Sequence, residues 1–364
     1  MKNQTAIYII VALIAFVVAY LVFGLLNPRA ADNEFGYSAM QKMMQGFSGN
    51  GGMTGGNTGG ATYNKSLATR TPAERKPLSY ELKNGVKEFR LTAEAVNWEY
   101  AKGKTVVAWG YNGEVPGPEI RVTEGDRVRI ALTNKLPKAT SIHWHGLDVG
   151  NDQDGVPTVT QKAIQPGETF AYEFTAKNAG TRFYHTHGSS AMMDEAEQMD
   201  MGLAGPFIVE PRGYANTKPD REYTLVLDEW DTTGMGQAME QMMGGSAGMM
   251  GAMNYNVFTI NGRSFPGTES IKVKKGERVR LRLINAGSST IHPMHLHGHQ
   301  FKVVAVDGNA VPPAAQLTRN TQPIHPGETY DIEFVADNPG TWLFHCHELH
   351  HADGGMIAPV VYED

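Results

Sequence analysis

The stretch PGETYDIEFVADNPGTWLFHCH, Pro326 to His347, occurs earlier without a gap as PGETFAYEFTAKNAGTRFYHTH, Pro166 to His187. Each copy opens on a Pro-Gly turn, runs through alternating apolar and polar residues such as Thr169-Phe170-Ala171-Tyr172-Glu173-Phe174, and turns again at Asn and Gly. Period-two alternation with such punctuation is the mark of short β-strands. The duplication extends outward. EGDRVRIALTN from Glu124 matches KGERVRLRLIN from Lys275, and YNGEVPG resembles INGRSFPG. A repeat of this length is a whole domain rather than a solenoid period. The fold class is therefore all-β, with two Greek-key β-sandwiches.

Both copies end on a His-x-His pair. Four such pairs, His143-Trp144-His145, His185-Thr186-His187, His295-Leu296-His297 and His345-Cys346-His347, use eight of the 13 histidines. On a strand, residues i and i+2 share a face, so each pair aims two imidazoles at one place. A single pair is ordinarily two core or surface histidines; four pairs in one chain point to metal. Imidazole alone does not choose among zinc, copper, iron and nickel. The lone cysteine does. Cys346 faces away from His345 and His347, and His292, His351 and Met356 lie at spacings that complete a set of two imidazoles, one thiolate and one thioether. That is the donor set of a blue-copper electron-transfer site, whereas structural zinc takes four ordinary ligands and usually more cysteines.

The segments HWHG, HTHG, HPMHLHGHQF and GTWLFHCHELHHADGGM, in this order, closely resemble the multicopper oxidases, the laccase-like family, and the likeness runs from about residue 78 to the C-terminus. The resemblance implies cupredoxin domains, and four coppers per functional unit. His292, Cys346 and His351, with Met356 axial, would hold the type 1 copper. His143 and His295 would hold type 2, and His145, His185, His187, His297, His345 and His347 the type 3 pair. A reductant would give single electrons to the type 1 site, and O2 would be reduced to water at the trinuclear cluster. Asp154, in Asp154-Gly155-Val156-Pro157, matches the family segment that places an acid beside that cluster; a turn-forming Asp before Gly is the other reading. Ala352, followed by Asp353, stands where some members carry a second acid. His299, His325 and His350 are left without a metal role.

The two halves differ where it matters. Thr186 replaces the cysteine in the first, and no His-x-x-His precedes HWHG, so the first domain has no type 1 site. A copper nitrite reductase, which resembles this layout, carries its type 1 site in the first domain and lacks the full set of pairs. Because each half supplies four trinuclear histidines, the cluster must form at a domain–domain interface. In two-domain chains resembling this one, that interface closes between subunits of a homotrimer, a cyclic assembly in which every subunit contributes both faces.

Ala6 to Leu26 is an unbroken apolar run of 21 residues flanked by Lys2 and Arg29. That length spans a bilayer, and no small-x-small cleavage site follows at Arg29-Ala30-Ala31. Residues 1–31 read as an uncleaved membrane anchor with the catalytic domains outside the cytoplasm. Residues 32–77, rich in Gly, Ser, Asn, Thr and Met, read as a flexible tether. Residues 78–212 form the first domain and 220–364 the second. Seven of the 18 methionines fall between Met235 and Met253, in an insertion over 234–253, and four lie between Met192 and Met201. Met is an adaptable filler of apolar surface, and its thioether also suits Cu(I). The formal charge of −6, with no basic run, argues against nucleic acid as a partner. One cysteine permits no internal disulfide. Two further readings compete with the oxidase: a copper-binding or copper-delivery protein without turnover, which would need no electron-transfer centre, and a zinc hydrolase.

Overall fold

Strand formation follows the β-branched and aromatic residues of the repeat, whose inward positions are buried or half-buried. The computed structural model describes residues 67–70, 75–189, 194–233 and 255–363. The N-terminal apolar run, nearly all of the 32–77 tether and the 234–253 Met-rich segment lie outside these residues. Among the described residues no helix is long and apolar enough to cross a membrane.

The first half contains β1 (Thr69–Arg70), β2 (Glu81–Lys83), β3 (Val86–Ala101), β4 (Lys104–Tyr111), β5 (Ile120–Thr123), β6 (Arg127–Asn134), β7 (His143–His145), β8 (Thr169–Thr175), β9 (Gly180–His185), helix α1 (Asp194–Asp200) and β10 (Ala204–Glu210). The second contains β11 (Arg221–Trp230), β12 (Val257–Ile260), β13 (Ile271–Val273), β14 (Arg278–Asn285), β15 (His292–Leu296), β16 (Phe301–Val306), β17 (Asn309–Ala310), β18 (Thr318–Arg319), β19 (Thr321–Ile324), β20 (Thr329–Val335), β21 (Thr341–Cys346), helix α2 (Leu349–Asp353) and β22 (Ile357–Tyr362). One sheet of the first half runs β1-β3-β6-β8, with β2 and β4 also on β3, and its partner sheet runs β5-β10-β9-β7. The second half repeats this as β12-β11-β14-β20-β16-β17, with β18 on β16, against β13-β22-β21-β15-β19. In both halves a parallel pair (β3 with β6, β11 with β14) sits beside antiparallel ones, and a parallel pair needs a crossover connection rather than a tight hairpin.

Two separate apolar cores fill the sandwiches. Trp144, Tyr172, Tyr184 and Phe207 centre the first, and Leu281, Phe301, Ile332 and Phe344 the second, all with essentially no exposure. Each such side chain stabilises the fold by roughly 1.5–3 kcal/mol relative to remaining in water. The halves also share a smaller apolar cluster in which Val96, Trp98 and Val115 meet Trp230 and Val257. Polar contacts join them too: Trp98 Nε1 donates to Gly262 O at 2.7 Å, and Arg121 pairs with Glu222 at 2.9 Å. Deep in the same seam Arg282, 2% exposed, donates to Thr181 Oγ1 at 2.7 Å and to Asp331 Oδ2 at 2.9 Å.

The topology puts the histidine pairs at strand ends. β7 pairs with β9 so that His143 faces His185, and β15 pairs with β21 so that His295 faces His345 and Met294 faces Cys346. The middle residues Trp144, Thr186, Leu296 and Cys346 are all buried toward their own cores, as strand alternation demands.

Candidate metal centres

The first centre gathers around Cys346 in the second half. β15 begins with His292, β21 ends with Cys346, the short helix α2 carries His351, and Met356 follows it before β22. Cys346 Sγ lies 3.8 Å from His292 Nδ1 and 3.5 Å from His351 Nδ1, and the two Nδ1 atoms are 3.3 Å apart. Backbone bonds lock the loop: Cys346 N–H donates to Met356 O at 3.1 Å, and Met356 N–H to His351 O at 3.0 Å. His292, Cys346 and Met356 are fully buried, while His351 is half-buried and stacked on Phe258 at 4.1 Å. Burial pushes the Cys346 thiol up to about 12 and, with His292 beside it, lowers His351. Without a cation the sulfur therefore stays protonated. A soft metal ion would take the proton's place and satisfy donors that otherwise meet only one another. The donor set fits copper.

The second centre is a quartet in the first half, His143, His145, His185 and His187, with ring centroids 5.3–6.0 Å apart. His145 Nδ1 and His185 Nε2 are 3.2 Å apart. Burial, reinforced by the neighbouring His143, lowers His145 to about 4 and His185 well below the usual imidazole range. Both rings are thus neutral at physiological pH, the form that ligates metal. Three rings have Nδ1 held from outside the cluster: His143 by Asp154 O at 2.8 Å, His185 by Thr186 O at 2.7 Å, and His187 by Glu195 Oε2 at 3.0 Å. Such partners fix the tautomer of a metal-binding imidazole. Gly155 makes the first possible. Its φ is +85°, and a Cβ there would run into the Ile142 carbonyl beside His143. Asp154 also brings Oδ1 to 3.4 Å from His143 Nδ1, so the residue is both a turn former and an acid next to the quartet.

A second quartet, His295, His297, His345 and His347, repeats this in the second half with ring separations of 4.7–5.7 Å. His345 Nδ1 is held by Cys346 O at 2.8 Å, mirroring His185 on Thr186 O. Asn320 O at 2.8 Å and Thr321 Oγ1 at 2.9 Å hold His295 Nδ1. Burial, then neighbouring histidines, lowers His297. His347 is exposed and His295 and His297 half-exposed, so this quartet opens outward. Among the described residues, ring contacts between histidines of the four pairs stay within each quartet.

The remaining histidines do other work. His299 is buried and bridges Tyr362 OH at 2.7 Å and His297 O at 3.0 Å, supporting the second quartet from behind. His325 is exposed beside Glu328, and His350 is exposed. Of the methionines between Met192 and Met201, Met201 packs against the first core as a filler. Sequence reasoning missed three carboxylates: Glu195 at His187, Glu348 Oε2 at 3.2 Å from His351 Nε2, and Glu229 Oε2 at 3.0 Å from His292 Nε2. The one available signal was Glu229 itself, an acid at a buried position of the apolar strand β11.

Comparison with known proteins shows what the chain as a whole resembles. Residues 92–213 and 241–364 each match a family model described as multicopper oxidase. The blue copper oxidase from Nitrosomonas europaea is 36% identical, with a TM-score of 0.66 over 76% of this chain and 85% of that one. A copper nitrite reductase from the same organism is 28% identical, with a TM-score of 0.65 over 77% of this chain and 94% of that one. The multicopper oxidase MmcO of Mycobacterium tuberculosis is 33% identical over 58% of this chain, which spans 45% of its length. The chain likewise covers 47% of the L-ascorbate oxidase of Nicotiana tabacum, so it spans about half the length of such curated relatives.

Proposed function

The chain belongs to the multicopper oxidase family, and from that premise we propose that it couples one-electron oxidation of a reductant at the Cys346 site to reduction of O2 to water at the histidine quartets. Copper bound at these donors supplies the one-electron transfers and the four-electron reduction of dioxygen. The observation that carries the reading is Cys346 itself. Its sulfur lies among His292 and His351, while its two chain neighbours, His345 and His347, belong to a quartet. Sulfur and both imidazoles are thus joined by covalent bonds alone. Met356 would add its thioether to the donor set at Cys346. His143 and His295 would hold the type 2 copper, and the other six histidines the type 3 pair. Asp154, 3.4 Å from His143 Nδ1, is the acid that delivers protons. Oxygen uptake with a panel of reductants, on protein loaded with copper, tests the reading. No uptake from a protein that binds copper would favour the storage or delivery alternative.

The reductant is phenolic or aromatic, as for a laccase, or a metal ion such as Cu(I). The thioethers of Met235 to Met253 favour Cu(I) as a soft ion. Deleting residues Gly234 to Gly251 should then raise the Michaelis constant for Cu(I) and leave oxidation of a bulky dye unchanged or improved; equal effects on both would return the segment to a packing role.

Two domains, 78–212 and 220–364, each carry half of the trinuclear ligands. The even split of the histidines, four from each half with ring contacts only within each four among the described residues, supports a homotrimer in which each cluster is completed by a neighbouring subunit. A fully active monomer in ultracentrifugation would contradict it. The 21-residue run from Ala6 to Leu26 supports an extracytoplasmic protein held to the membrane by its N-terminus; release of the full chain by salt washing alone would count against that.

A further inference from the structure

We infer that Glu229 is a positioning residue for the Cys346 site: it holds His292 in the tautomer that offers Nδ1 to the metal, and its carboxylate lowers the potential at which that site accepts an electron. The inference rests on the type 1 reading of the Cys346 site.

Glu229 and His292 are both completely buried. Glu229 Oε2 lies 3.0 Å from His292 Nε2, and Oε1 accepts the N–H groups of Ser289 at 3.3 Å and Thr290 at 3.1 Å. Thr290 Oγ1 lies 3.2 Å from the same Nε2. Every group facing the carboxylate in these contacts is an N–H donor or becomes one, which suits its ionised form, so the proton of the ring belongs on Nε2. The lone pair then sits on Nδ1, the atom that faces Cys346 Sγ at 3.8 Å. The loop is shaped around the acid: a Cβ at Gly287 would run into the Glu229 carboxylate. Among the described residues the only ion-pair partner of Glu229 is His292.

The duplicated fold supplies an internal control. Ala286 N–H donates to Leu227 O at 3.0 Å, and Lys135 N–H donates to Ala93 O at 2.8 Å, which matches Leu227 with Ala93 and Glu229 with Ala95. The residue three before the first histidine of the matching pair is His292 in the second half and Thr140 in the first. Carboxylate and imidazole are therefore present together and absent together. The sandwich folds without an acid at this position, so the fold is not what calls for it. A buried carboxylate is costly unless a charge compensates it, and a metal ion one imidazole away would do so.

A fixed negative charge in a low-dielectric surrounding favours the more positive, oxidised state of the site. Glu348 contacts the other imidazole, His351, but its side chain is 38% exposed, so water screens it.

Imidazole nitrogen NMR on the metal-free wild type should find the His292 proton on Nε2; a proton on Nδ1 overturns the inference without any variant. In copper-loaded protein, a redox titration followed by the thiolate-to-copper absorption should show Glu229→Gln easier to reduce. The expected change is at least tenfold in the reduction equilibrium, about 59 mV for one electron. Glu229→Asp should recover part of the shift, and Glu348→Gln should move it less than Glu229→Gln does. An unchanged potential in a folded, copper-loaded Glu229→Gln overturns the inference. If that variant does not fold, the wild-type tautomer decides alone. A wild type that binds copper without this absorption is the separate failure of the type 1 reading, and the inference falls with it.

Discussion

The same place in the two halves of this chain is filled in opposite ways. In the second half His292, Cys346, His351 and Met356 converge. In the first, the corresponding positions are Thr140, Thr186, Gln198 and Leu203. Backbone bonding fixes the match: Thr186 N–H donates to Leu203 O and Leu203 N–H to Gln198 O, as Cys346 N–H donates to Met356 O and Met356 N–H to His351 O. The first set is closed on itself. Thr140 Oγ1 and Thr186 Oγ1 are 3.1 Å apart, both meet Gln198 Oε1 at 2.7 and 2.8 Å, and Gln198 Nε2 donates to Ala139 O at 2.9 Å. The second set has a protonated thiol and two imidazoles in loose mutual contact, with carboxylates behind the rings. Buried polar groups must be satisfied, and these halves show the two solutions, an internal hydrogen-bond network or an external cation.

The comparison breaks most visibly at Cys346. Cys346→Ser should abolish both the blue absorption and reductant oxidation of the copper-loaded protein, while metal analysis still finds copper at the quartets; retained oxidase turnover would remove the cysteine from the proposed site. His143→Ala should do the converse, keeping the blue absorption but losing oxygen uptake. Gln198→Ala probes the closed half. It strands two threonine hydroxyls and opens a cavity, so denaturant unfolding should show a loss of about 2–4 kcal/mol with the copper absorption untouched.

The smallest effect is acid sensitivity of the metal-free chain. His145 is depressed from 6.5 to about 4, and His185 is depressed as well. A group with a lowered folded value stabilises the fold fully above its unfolded pKa, and that contribution is lost as pH falls toward the folded value. Thermal melts should therefore weaken between about pH 6.5 and 4, by on the order of 2 kcal/mol for His145 after allowing for its partial exposure. Bound metal should suppress this dependence.

The strands and the metal-site residues were legible because both are written in short spacings. Alternation gave the strands, His-x-His gave paired imidazoles on one face, and the six residues from Cys346 to His351 are one strand end and one helical turn. What was not legible acts across long separations. Glu229 and His292 are 63 residues apart, and no spacing rule links a carboxylate to the imidazole it orients. Glu195 lies on helix α1, in a segment that the sequence marked only by its methionines. Asp154 was visible as a turn residue and, through the resemblance, as an acid, and its carboxylate lies 3.4 Å from His143 Nδ1.

The polar seam formed by Thr181, Asp331, Arg282, Glu222 and Arg121 bears on how such a chain can be taken apart or recombined. Arg282 spends one nitrogen on the other half's Thr181, and Glu222 answers Arg121 across the same boundary. A gene fragment encoding either half alone would uncover charged groups shaped for a missing neighbour, along with Trp98 and Trp230. Swapping one half for that of a relative would carry the same penalty unless these five residues travelled as a set. The two copies of the duplication have thus become a single unit of inheritance, even though each still carries its own core.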